Sequence, residues 1–262
     1  MKKYWEMAKS QIKVDLAYSA WYWAGAFATI INLLIMYAFW HAVYQGKSEL
    51  ANMTLGTMLT YVVIAMMLGN YVAGVGNQLA NNIRDGSVAI ELMRPYDLLL
   101  KLVSLDLGFK VTASIRNTLP MLLIAFLFLH IQAPASFLSG ILFVISACIG
   151  ILIGTQFDLI VGVMAFWTVN IWGVRVLRSA ILQFFTGSLI PISLFPLWLR
   201  HISDFLPFQS MVYVPVSIYT GTIKGVDALL AVTIQLGWLI GMYIVVRLIW
   251  SVSLRKITIF GG

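Results

Sequence analysis

Residues 117–157 read NTLPMLLIAFLFLHIQAPASFLSGILFVISACIGILIGTQF, 41 residues without a charged side chain. A membrane-spanning helix needs about 20 mostly apolar residues, because it crosses about 30 Å of hydrocarbon at about 1.5 Å per residue. This stretch is too long for one crossing. Its turn falls at His130–Ser136, around Pro134, so it holds two. Asn117 to His130 is then only 14 residues, about 21 Å, too short to cross alone. The earlier helix must begin upstream and carry Lys110 and Arg116. Long basic side chains can reach back to the interface from such positions.

Charge-free runs also cover 16–46, 50–83, 159–174, 179–199, 205–223 and 228–246. Six spans follow, at about 19–42, 55–78, 109–130, 137–165, 172–192 and 227–249. The run 205–223, FLPFQSMVYVPVSIYTGTI, is rejected as a span. Pro207, Pro215, Gln209 and Ser210 interrupt it, and a broken, half-polar backbone is a poor lipid-facing helix. With six spans and the N-terminus inside, 14 Lys/Arg lie inside and only Lys47, Arg200 and Lys224 outside. That asymmetry fixes the orientation, with both ends cytoplasmic.

Composition agrees. Hydrophobic residues make up 61% and charged residues 10%, with net charge +7 and mean hydropathy +0.91. Soluble domains average about 45–50% apolar and about 25% charged, so a disordered chain, a coiled coil and a cytosolic enzyme are all poor fits. Cys148 is the only cysteine, which excludes an intrachain disulfide and a cysteine metal cluster. The positive charge belongs to membrane orientation; no nucleic-acid partner is expected.

The first 15 residues are too polar for a signal peptide. Trp5, Ala8, Ile12 and Leu16 recur at helical spacing, with Lys2, Lys9 and Lys13 elsewhere on the wheel. Residues 1–17 therefore read as an amphipathic helix on the inner leaflet, followed by an aromatic belt of Tyr18, Trp21, Tyr22 and Trp23. No internal repeat is evident, and residues 1–262 read as a single transmembrane domain.

Catalytic motifs are missing. There is no GxxxxGK[ST] and no HExxH. The histidines His41, His130 and His201 fall at the outer face without ligand spacing, so no metal site is assigned. Asn52-Met-Thr54 is a glycosylation sequon by pattern only. Asp158 is the one acid well inside an apolar stretch, about 32 Å below Phe137 and so near the inner interface. Gly150, Gly154 and Gly162 share its stripe, which turns it toward a close neighbour. Asp158 is either half of a structural ion pair or part of a relay. Arg178 is its expected partner: with the turn near Thr168 and Asn170 capping the fifth helix, both lie ten residues from the turn. Lys110 competes at similar depth. Gly150–Gly154 and Gly237–Gly241 are GxxxG pairs, suited to packing within the chain or between subunits. Asn32 and Gln183 are amides inside spans and need partners, which makes them candidates for a polar path.

Two segments stand out. The inner loop of residues 80–106 contains Arg84-Asp85-Gly86, a turn, then Ser87 as N-cap of a short helix through Met93 that Pro95 ends. Beyond it, Asp97–Asp106 is amphipathic, with Leu98, Leu99, Leu102 and Leu105 on one face. The short helix is either a docking element or a plain interfacial loop. The outer segment 193–224 follows the fifth span. Pro191, Pro196, Pro207 and Pro215 punctuate this region, and Leu197–Asp204 forms an amphipathic helix too short to span, dipping into the leaflet or lying on it.

These features together resemble the permease subunits of ABC-2 type exporters. The six-span plan with a basic N-terminal helix carries the likeness. So do the inner loop Asp85–Pro95, similar to the family's coupling loop, and Pro191–Pro207, similar to its outer hairpin. Phe166-Trp167-Thr168 and Arg94-Pro95 resemble the branch of about this length. The likeness covers essentially the whole chain. It implies an all-α membrane fold with six spans, and re-entrant outer helices between spans five and six. It implies a translocation path formed by two permeases, the second identical or a similar different chain, with spans one and five in contact. A separate cytosolic ABC ATPase would bind ATP and Mg²⁺; this chain would hold no cofactor and would not be an enzyme. Coupling would fall to Ser87, Val88, Ile90, Glu91, Leu92, Met93 and Arg94. The outer gate would fall to Pro191, Phe195, Pro196, Trp198, Leu199 and Pro207. The location implied is a bacterial inner membrane, in contact with lipid. The alternative is a self-contained secondary transporter or channel, disfavoured by the lack of an inverted repeat and of matching broken helices.

Overall fold

The computed structural model describes residues 2–17, 20–50, 53–129, 131–168 and 171–255, with backbone only for Lys2, 16–17 and 20–26. The aromatic belt, Asn52 of the sequon, His130 and Asn170 lie outside the described side chains. The helices are α1 (Lys2–Ala17), α2 (Ala20–Val43), α3 (Leu55–Gly69), α4 (Gly76–Arg84), α5 (Ser87–Leu92), α6 (Leu98–Ala113), α7 (Leu119–Phe128), α8 (Phe137–Val163), α9 (Trp172–Phe185), α10 (Leu197–Asp204), α11 (Tyr213–Tyr219) and α12 (Gly225–Leu254). Among the described residues the only sheet is a two-stranded hairpin, Glu49–Leu50 with Met53–Thr54.

Three helical stretches are long and apolar enough to cross a membrane: Leu98–Phe128, Phe137–Phe166 and Gly225–Leu254. The chain is a predominantly helical, multi-pass membrane protein. α3 has only 15 residues and α9 only 14, about 21–23 Å each.

Three expected boundaries move. The second span does not run unbroken to residue 78. It stops at Gly69, and the chain crosses 70–75 without helix before α4 resumes. Buried non-helical backbone survives only where protein satisfies its polar groups, and Asp158 does so here. Its Oδ2 accepts N–H bonds from Gly74 (2.9 Å) and Gly76 (2.7 Å). The third long helix begins at Leu98, so residues 98–106 belong to it rather than to the inner loop. Asp97 caps it, its side chain accepting from the Leu100 N–H at 2.9 Å. A π turn at Ser114–Thr118 joins α6 to α7; Pro120 follows, with no N–H to offer the carbonyl of Arg116. The fifth helix ends at Phe185 rather than near 192. Gly187 turns the chain at φ +75°, and its carbonyl accepts from the buried Tyr61 hydroxyl at 2.7 Å.

The small-residue stripe of α8 is where the fold closes. An added methyl at Gly150 would meet the Met211 carbonyl oxygen at 2.7 Å, one at Gly154 that of Val72 at 2.8 Å, and one at Gly162 that of Gly76 at 2.6 Å. The stripe thus seats the 70–75 break and the turn at Ser210–Met211. The other pair, Gly237–Gly241, meets nothing within 4 Å, so it does not pack within the chain as α8 does. Gly162→Ala should lower stability by about 1–3 kcal/mol, since backbone blocks the new methyl. Gly237→Ala should leave it unchanged. Thermal unfolding of the detergent-solubilised protein checks both.

α11 is covered by protein: Tyr213, Val214, Pro215, Val216, Ser217 and Ile218 are all buried. That is why its prolines and polar groups are tolerated. α1 does not stand apart. Its Ala8 backbone lies against Gly108 of α6, and the Asp15 carbonyl accepts from Arg116 at 2.6 Å.

Candidate functional site

The inner loop comes first. Gly86 stands at φ +77°, a conformation that favours glycine. Asp85 Oδ1 accepts the Ser87 N–H at 2.9 Å. Ser87 is therefore the first helical residue and not the N-cap: Asp85 reaches over the left-handed turn and does the capping. The helix ends at Leu92, one residue before Met93. Val88 is 3% exposed and packs with Leu79, Leu98, Leu102 and Trp250, so it is not free to dock. Ile90 (60% exposed), Leu92 (37%) and Met93 (87%) form the open apolar tip, with Arg94 exposed beside it.

Glu91 does not point outward either. It accepts from Lys101 Nζ at 2.5 Å and from the Tyr96 hydroxyl at 2.6 Å. Lys3 Nζ donates to the Pro95 carbonyl at 2.7 Å, and the Asp97 N–H donates to the Tyr4 hydroxyl at 2.9 Å. Arg247 of α12 pairs with Asp97. The loop is tied to α1, α6 and α12 while its tip stays bare. Burial pushes the Glu91 carboxyl up, but the bonds from Lys101 and Tyr96 and the nearby Lys101 and Arg94 charges outweigh it, so it sits below the usual glutamate range. A lowered folded-state pKa means the pair is fully effective above the unfolded value, about 4.3, and is lost as pH falls through the folded one. Glu91→Gln should speed amide exchange across 87–97 at neutral pH and flatten its acid dependence.

The second element is a buried charge cluster. Asp158 Oδ1 lies 2.8 Å from Arg178 Nε, an ion pair without the alignment of a hydrogen bond. Lys110 pairs not with Asp158 but with Asp106, at 2.5 Å. Thr155 joins both, accepting from Lys110 at 2.8 Å and donating to Asp106 Oδ2 at 2.9 Å. All four charges are at most 8% exposed. The cluster is electrically balanced and clasps the 70–75 break, with Gly74 pressed on Asp106 and Gly76 on Asp158.

Beside it opens a cleft of about 480 Å³ between α2, the end of α3 and α9. Asn32 and Gln183 both line it, with Asn70, Ser179 and Arg178. Among the outer residues, Pro191 and Pro207 are buried, Phe195 and Leu199 half-buried, and Pro196 and Trp198 exposed. Phe195 stacks on Phe184 at 4.9 Å. Gln235 of α12, fully buried, donates to the Ser210 carbonyl at 2.6 Å and accepts from Ser146 at 2.8 Å, pinning the segment to α8. His41 packs against Tyr37 and stays exposed, as does His201.

A family model described as an ABC-2 family transporter protein matches residues 30–261. The chain belongs to the ABC-2 transporter family. No curated protein matches it. An ABC-2 protein is a membrane translocation component of an ABC transporter, and the family works with an ABC ATPase.

In this ABC-2 chain three polar groups escaped the sequence reading. Asp106 falls at the end of the amphipathic segment of the inner loop 80–106, although its i,i+4 spacing to Lys110 marks a helical pair. Thr155 carried no signal of its own. Gln235 is an amide within a long apolar helix, the same criterion that selected Asn32 and Gln183.

Proposed function

We propose that this chain is the permease subunit of an ATP-driven exporter in a bacterial inner membrane. The chain crosses six times with both ends in the cytosol, the second crossing being α3, the 70–75 break and α4. Two permeases, identical or similar, form the path along α2 and α9. The re-entrant outer segment gates it, and a separate ATPase holding ATP and Mg²⁺ docks on α5. The observation that carries this reading is the bare apolar tip Ile90, Leu92 and Met93, on a loop bonded to three helices that include two long ones. A tip so anchored transmits a push instead of absorbing it. The cleft containing Asn32 and Gln183 supports α2 and α9 as the walls of the path.

Single cysteines along α2 and α9 of the assembled complex should crosslink between permeases. Crosslinks along α8 with none on α2 or α9 would place the interface elsewhere. The buried charges favour a second reading, an ion-coupled carrier. Against it, both carboxylates already face a base, and Asp158 also accepts two backbone N–H groups. Transport that persists with a hydrolysis-dead ATPase would decide for the carrier.

A further inference from the structure

The cleft between α2 and α9 has walls of two kinds. Asn32, Asn70, Ser179 and Gln183 supply uncharged donors and acceptors, while Met36, Met66, Leu182 and Leu189 are apolar. Arg178 is the only charged residue on its lining among the described residues. It is 8% exposed, and its Nη2 is buried with no hydrogen-bond partner. An unpaired buried donor on a charged group is unfavourable, and the residue that carries it lines the cleft. Such a donor calls for an acceptor from a ligand. The acceptor should be neutral, because the guanidinium is already balanced by Asp158 at 2.8 Å. An added carboxylate or phosphate would leave a net negative charge next to that buried pair, in surroundings of low dielectric. Amides, which donate and accept at once, match hydroxyl or amide groups on the same head. Flexible methionines suit an adaptable apolar tail. The volume falls within the about 300–1,000 Å³ usual for small-ligand sites.

We propose that this cleft binds an uncharged amphiphile, whose polar head accepts from Arg178 and bonds Asn32 and Gln183 while its chain lies on the methionine and leucine wall. As a substrate assignment, this rests on the reading that α2 and α9 line the translocation path.

The test uses the permease–ATPase complex in phosphatidylcholine nanodiscs with two photoreactive probes of identical chains. One is a glucosyl diacylglycerol, the other a phosphatidate. Saturable labelling of α2 and α9 by the glucosyl probe is expected, displaced by unlabelled glucosyl lipid and not by phosphatidate. Asn32→Leu and Gln183→Leu should each weaken it about fivefold, the worth of one hydrogen bond. Both positions are exposed, and recovery of the ATPase with each variant checks its fold. Equal or stronger saturable labelling by phosphatidate overturns the neutral assignment. Non-saturable labelling of all lipid-facing helices by both probes overturns the site itself. The path reading is judged separately by the α2 and α9 crosslinks: a labelled cleft without them keeps the binding site and removes its role in transport.

Discussion

Asp158→Ala should cost the detergent-solubilised permease about 3–5 kcal/mol, because it leaves the Arg178 charge buried and unpaired. It also strips the acceptor from the N–H groups of Gly74 and Gly76, each orphaned donor adding about 1–3 kcal/mol. Arg178→Met should cost less: Asp158 keeps its two backbone donors, and Met fills the space. The informative variant is Asp158→Asn with Arg178→Met. Asparagine retains an oxygen for Gly74 and Gly76, no lone charge remains, and much of the loss should return. Chemical denaturation of the four proteins gives the comparison. A double variant less stable than Asp158→Ala would show that the pair is not the clasp.

The other large effect concerns docking. Leu92→Asp should abolish co-purification of the ATPase, a loss of at least about 2 kcal/mol, as for a central apolar anchor. Met93→Asp should act alike, since Met93 is the most exposed residue of the tip at 87%. Val88→Asp would instead damage the fold, and Glu91→Ala should act through loop stiffness, because the carboxylate faces Lys101 and Tyr96. Gly86→Pro separates binding from coupling. Proline is held near φ −65° and cannot take the +77° of this turn, so α5 would be displaced with its side chains intact. Residual assembly with lost substrate stimulation is expected. Normal assembly and stimulation in Leu92→Asp would move docking to α1 or to the loop near 168–175.

Counting charge-free runs located α8 and α12 well, because both are single long apolar helices. The same count could not see the 70–75 break. Composition reads how apolar a segment is, not whether its backbone stays helical, and the one sequence hint is the cluster Gly69, Gly74 and Gly76. The stripe of Gly150, Gly154, Asp158 and Gly162 was readable since helical periodicity fixes which residues share a face. What presses on that face required tertiary structure. Equal spacing from the turn set Asp158 and Arg178 level, and the structure brings them within 2.8 Å. A loop boundary at 106, rather than the observed 97, divides Asp106 from Lys110 in the sequence reading. Their burial depends on α1 and α8 covering α6, which no local pattern encodes. The residues proposed for docking share one segment of sequence, but which of them face outward was not legible. A six-residue helix makes fewer than two turns, and its orientation is set by Val88 entering a core built from distant helices.

The contacts that hold α1 have a consequence for synthesis. Its bonds run to Pro95, Asp97 and Arg116, 92, 93 and 101 residues further along the chain. At roughly 5–20 residues per second these partners emerge about 5–20 s after α1 itself. α1 is therefore fixed only once the long helix that begins at Leu98 is being made. Until then those three bonds to α1 are missing, and a factor that held or cleaved this segment in that interval would act before the fold could shield it.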